Sequence, residues 1–125
     1  SQYAFSSRDG SGAYLDGSKT YKVNIPANPP ANRFWSFVVY DPQTRSMLQS
    51  KEMPYPSKNN KRNPDMVKNT DGSTDLYFGP KAPVGKEANW VKTVPGKGWF
   101  GIFRLYGPGQ EWFDRTWKLS AIEKL

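Results

Sequence analysis

The stretch GWFGIFRLYG, Gly98–Gly107, decides how this chain is read. Alternation puts Trp99, Phe103 and Leu105 on one face around Gly101, and Phe100, Ile102 and Tyr106 on the other. Ten residues with that period and three aromatic ring types predict a strong strand rather than a helix. One residue breaks the pattern. Arg104 shares a face with Phe100, Ile102 and Tyr106, where a charge needs an acidic partner such as Asp114 or Glu87, a wet cavity, or an anionic ligand.

Working outward, RFWSFVVYD (Arg33–Asp41) has the same character. Trp35, Phe37 and Val39 share one face and Phe34, Val38 and Tyr40 the other, as in a central strand. KTYKVNI (Lys19–Ile25) alternates as a half-buried strand with Tyr21, Val23 and Ile25 inward. Asp41-Pro42 starts a turn, and RSMLQS reads as a returning strand. Asp71-Gly72, inside MVKNTDGSTDLYF, predicts a two-residue type I′ hairpin with Leu76 and Phe78 facing the core. Lys51–Pro64 is expected to be a long, mobile loop, and the segment from Gly79 to Gly98 a connector punctuated by Pro80, Pro83 and Pro95. PGQEWFDRTW suits one helical turn, and WKLSAIEKL a short closing strand. The sum is an all-β chain, an antiparallel β-sandwich with long loops and one short helix.

Its 125 residues fit one domain, 1–125. Aliphatic side chains are few, so the core must lean on large rings. With no cysteine and no histidine, disulfides, thiol nucleophiles, Ser-His triads and zinc or iron sites built on those residues are excluded. No window approaches the ~20 apolar residues of a membrane-spanning helix. No signal peptide is visible, and the chain opens on Ser rather than Met, which suits a processed product or a piece of something longer. The net charge of +7 favours acidic partners in general. The basic segment Lys51–Thr70 carries only one aromatic, Tyr55, so it has no stacking platform and reads as a solvated loop rather than a nucleic-acid grip.

The ordered blocks YLDGSKTYKV, RFWSFVVYDPQTRSMLQ, DGSTDLYFGPKAP, KEANW, VPGKGWF, RLYGP and FDRTWKLSAIE resemble an uncharacterised family, domain of unknown function 1214. The likeness runs from about Tyr14 to the C-terminus. It implies a jelly-roll-type sandwich, mostly in bacterial proteins and often exported or periplasmic, with no established reaction. Such a domain usually follows a second one, domain of unknown function 1254. The chain would then be a stand-alone version or the C-terminal half of a two-domain architecture.

Several motifs are candidates for chemistry. GAYLDGSKT nearly spells a phosphate loop, but Ser18 intrudes before Lys19-Thr20 and a strand follows, so Asp16-Gly17 reads better as a hairpin turn. Asp71 and Asp75, with Asn69, offer oxygen ligands to a cation, although the spacing lacks the terminal Glu of an EF-hand loop. Glu111 and Asp114, three apart, are the weak candidates for an acid/base pair, against the plainer reading of carboxylates at a helix start. Trp90, Trp112 and Trp117 lie outside strand periodicity. Each either plugs an end of the sandwich or offers a face to a partner.

Two classes of function follow. In the first, the chain is a binding or scaffold module, with Trp90, Arg104, Tyr106, Trp112 and Arg115 around a pocket for a small, anionic organic ligand, or as a face for an N-terminal partner domain. In the second, it is part of a hydrolase or lyase whose site is shared with that domain, limited to carboxylate, Tyr, Lys or metal chemistry. The residue set names no cofactor and leans away from catalysis by this chain alone. It leaves ligand identity and oligomeric state open.

Overall fold

The structure is a computed structural model that describes residues 2–51, 53 and 55–125. Two four-stranded sheets make up the fold. The first orders its strands β1 (Gln2–Ser6), β7 (Phe100–Pro108), β3 (Ala31–Tyr40) and β4 (Ser57–Asn59). The second orders them β6 (Trp90–Lys92), β5 (Thr74–Gly79), β2 (Tyr21–Ile25) and β8 (Glu123–Lys124). One short helix, α1 (Gln110–Phe113), follows β7. The chain is thus an all-β sandwich, as its alternation predicts.

Four strands whose inward residues are legible in the sequence form the middle of the sandwich. In β3 and β7, Trp35 pairs Leu105, Phe37 pairs Phe103 and Val39 pairs Gly101, all buried on the inner face. In β2 and β5, Tyr21 pairs Phe78 and Val23 pairs Leu76, again inward. The two inner faces meet through rings. Phe37 lies 4.9 Å from Phe78 across the sandwich, and Phe78 stacks on Trp99 at 4.9 Å. Trp35 and Trp117 both contact Phe103, at 5.9 and 5.8 Å. Large rings thus fill the space that few aliphatic side chains are present to fill.

Other segments differ from expectation, each for a physical reason. RSMLQS forms no strand; Met47 makes a single bridge to Tyr40, and Leu48 donates its N–H to Val39 O at 3.1 Å. The strand that pairs β3 is instead β4, inside the expected loop of Lys51–Pro64. Its residues Ser57–Asn59 are too polar and too short to announce themselves. Glu52 and Pro54 of that expected loop lie outside the described residues. The connector after β5 holds a 3₁₀ turn (Glu87–Asn89) and then β6, which pairs β5 in parallel. Pro80 and Pro83 forbid a tight hairpin there, and the chain crosses over to re-enter the sheet in the same direction. That pair is the local exception to antiparallel pairing.

The Asp71-Gly72 turn is also not type I′. Gly72 has φ +86° while Asp71 is not left-handed, and Gly72 N–H closes onto Asn69 O at 3.0 Å. This is a type I turn followed by a left-handed glycine. Its first arm pairs with no strand because Asn89 captures it. The Asn89 amide donates to Val67 O (2.9 Å) and Asp75 O (2.8 Å) and accepts from Val67 N–H (2.9 Å). Asp16-Gly17 is a turn, with Lys19 N–H on Asp16 O at 3.1 Å, but it joins no hairpin.

Gly101 lets the two middle strands of the first sheet carry the Phe37 ring. A Cβ there would sit 2.4 Å from Phe37 Cε1, and that ring is pinned by Phe78 and Phe103. Gly101→Ala is therefore expected to lose about 1–3 kcal/mol of stability in chemical denaturation. An unchanged midpoint would contradict the packing.

Candidate functional site

The residues expected to form one pocket are dispersed. Trp90 lies at the edge of the second sheet and donates its indole N–H to Gly79 O at 3.0 Å. Arg104 and Tyr106 are half-buried on the outer face of β7, with the Arg104 guanidinium 5.3 Å from the centre of the Tyr106 ring. Tyr106 stacks on Phe34 at 4.2 Å. Trp112 and Arg115 come together elsewhere, on a shallow groove of about 550 Å³ shared with Phe113, Trp117 and Lys118. Trp117 itself is buried and closes that end. Its indole donates to Ala27 O at 3.1 Å and Pro26 O at 3.3 Å.

The carboxylates have local partners. Asp114 accepts from Thr116 N–H (3.0 Å) and Thr116 Oγ1 (2.8 Å), and both Glu111 and Asp114 are exposed at the ends of a one-turn helix. Asp71 accepts from Ser73 N–H at 2.9 Å, and Asp75 from the side-chain amides of Asn24 (2.9 Å) and Asn69 (3.1 Å). Among the described residues no three acidic side chains converge as a metal set.

A different cleft has the attributes of a ligand site. It measures about 520 Å³ and is lined by Phe5, Ser7, Tyr14, Leu15, Pro42, Arg45, Gly98, Trp99 and Phe100. Small-molecule sites are concave and mostly apolar with a few placed polar groups, and this lining fits that description. Leu15 and Trp99, both 2% exposed, belong to the core as well. The Trp99 indole N–H is buried without an acceptor among the described residues, a mismatch that native interiors rarely leave.

Three segments build the walls. After β1 the chain doubles back through an Arg8–Tyr14 bridge, its turn closed by Asp9, which accepts from Ser11 N–H (2.8 Å) and Ala13 N–H (3.1 Å). Leu15 is then held from both sides, its N–H on Ser7 O and its carbonyl under Trp99 N–H. Tyr14 is 69% exposed yet fixed: Arg8 lies 4.1 Å over its ring and donates to its hydroxyl at 2.8 Å. On the sheet side, Phe5 and Tyr40 flank Phe100 at 5.0 and 5.3 Å.

The third segment is the turn after β3. Asp41 is buried and anchors it, accepting from Lys97 Nζ at 3.0 Å and from Gln43 N–H at 2.9 Å. Asp41 O accepts from Arg45 N–H at 2.7 Å, and Arg45 takes a left-handed φ of +57°. Arginine in that region is uncommon and costs more than Gly, Asn or Asp. In the sequence Trp99 reads as an inward strand residue, and Arg45 carries no pattern that ties it to Tyr14 or Phe100. No local signal marks the cleft, because its residues are drawn from three separated segments of the chain.

The family model described as "Protein of unknown function (DUF1214)" matches residues 1–110. The chain belongs to this family. No curated protein matches it. Among solved structures it is similar to the VPA0106 protein from Vibrio parahaemolyticus, with a TM-score of 0.81 and 26% identity over 98% of this chain and 30% of that one. It also shares its fold with an uncharacterised protein from Burkholderia cenocepacia, with a TM-score of 0.58 and 18% identity over 98% of this chain and 34% of that one. This member of the family therefore spans about a third of each of those chains.

The Lys97 ammonium, and next the Gln43 N–H, hold the Asp41 carboxyl below the ordinary carboxylate range. The Ser11, Ser18 and Ser73 hydroxyls act likewise on Asp9, Asp16 and Asp71. A carboxyl depressed in the folded state stabilises fully above its unfolded-chain value, and that stabilisation is lost as pH falls through the folded value. Thermal melts are expected to be flat from about pH 7 to 5 and to fall below about pH 4. Asp41→Asn should give a lower plateau with a shallower acid decline; an identical acid slope would contradict the anchoring role of Asp41.

Proposed function

We propose that this domain is a binding module whose site is the cleft walled by Tyr14, Phe5 and Phe100 and floored by Leu15 and Trp99. The observation that carries the reading is a concave, nearly apolar lining assembled from three separate segments of the chain. A small organic molecule with a flat apolar body suits that lining, since rings favour offset or tilted contact with other rings. Fixation of Tyr14 by Arg8 supports it further, because a wall ordered in advance lowers the entropy cost of binding. The groove beside Trp112 and Arg115 is the lesser candidate. One short segment forms most of it, and its lining is more polar.

A second reading rests on the outer face of the first sheet. Phe34, Tyr40, Phe100 and Tyr106 lie there half-buried beside Arg104, and Tyr3 and Phe5 are exposed. Such a face suits docking against an apolar surface, for which the additional chain of the longer relatives is the natural source. Exposure of the matching side chains to solvent in the Vibrio protein would remove this reading.

For the cleft, the direct test is titration with 2-naphthamide, a neutral flat probe, followed by residue-resolved NMR. Shifts are expected at Tyr14, Leu15 and Trp99, with a Kd on the order of 0.1–1 mM for so small a molecule. Ser7→Phe keeps the carbonyl that holds Leu15 and should fill the cleft, abolishing the shifts without lowering the Tm. Shifts confined to residues 112–119 would move the site to the other groove.

A further inference from the structure

We infer that the ligand of this cleft carries a carboxylate and that Arg45 is the residue that selects it. The inference rests on the cleft reading above and adds the chemical class of the ligand. Among the described residues of the lining, Arg45 alone carries a charge, and it is positive. The nearest acidic group along the chain does not cancel it. Asp41 is committed to Lys97 at 3.0 Å and to the Gln43 N–H, so the turn presents the guanidinium without a competing carboxylate in the lining. A guanidinium is a planar fork of donors whose spacing matches both oxygens of a carboxylate. A flat apolar body against Phe5, Tyr14 and Phe100 leaves one end at the Arg45 rim, where an acid group would meet that fork.

The turn itself is held from below. Arg45 N–H closes onto Asp41 O at 2.7 Å, and the buried, ion-paired Asp41 fixes the backbone from which the Arg45 side chain extends. Arg45 shares its left-handed φ of +57° with Arg115 at +63°, so the selection of a carboxylate rests on the lining and its charge.

The test uses a matched pair of probes, 2-naphthoate and 2-naphthamide, which share ring and shape and differ in charge. Calorimetry and NMR on the whole chain at low ionic strength are expected to show the carboxylate binding about three- to tenfold more tightly, with the gap closing as salt rises. Arg45→Asn should bring both probes to the same affinity while leaving the Tm equal or higher, because asparagine takes the left-handed conformation more readily. Arg45→Gln, which keeps a long side chain, should equalise the probes in the same way. Equal binding of the two probes to the unaltered chain, or a preference that survives both substitutions, would overturn the role of Arg45 and leave the cleft reading standing. Failure of both probes to bind would remove the cleft reading as well.

Discussion

The contact between Phe37 and Phe78, 4.9 Å apart across the sandwich, is the constraint on which the rest of the structure depends. It joins the central strand of one sheet to a central strand of the other. From it a continuous run of rings extends through Trp99 and Tyr21 on one side and through Phe103, Trp35 and Trp117 on the other. A chain poor in aliphatic residues holds two sheets together only if such rings interlock, since each buries a large apolar area. The arrangement also fixes the ends. Trp117 is drawn over one end by its stacking on Phe103, and Trp99, stacked on Phe78, becomes the floor of the cleft.

How much of this was legible follows from where each signal is stored. Strands β2, β3 and β7 are long, alternate cleanly and bury one face, so Tyr21, Val23, Ile25, Trp35, Phe37, Val39, Phe103 and Leu105 could all be assigned to the core from the sequence. Strands β4 and β6 are three residues each and exist because a long strand offers them an edge, which no local pattern records. The first arm of the Asp71-Gly72 turn resembles a strand, yet a side chain some twenty positions away, Asn89, takes its backbone bonds. In such cases tertiary hydrogen bonding outweighs propensity.

The site was less legible than the fold for the same reason. The sequence leads to the expectation of an aromatic pocket edged by arginine, and the residues named for it do not converge on one pocket. Trp90 lies at the edge of the second sheet, Arg104 and Tyr106 share the outer face of the first, and Trp112 and Arg115 share a groove. The cleft instead gathers Phe5, Tyr14, Pro42, Arg45 and Phe100, which lie far apart in sequence. Its concavity and the convergence of its lining are set by the tertiary structure and not by residue order. The chain matches about a third of the length of the Vibrio and Burkholderia chains, and the outer face of its first sheet is rich in aromatic side chains.

The account is tested most directly by a crystal structure of the domain grown with 2-naphthoate. It should place the naphthalene rings between Tyr14 and the Phe5–Phe100 pair, with both carboxylate oxygens on the Arg45 guanidinium. A probe seated beside Trp112 and Arg115, with the Tyr14 cleft empty, would contradict it.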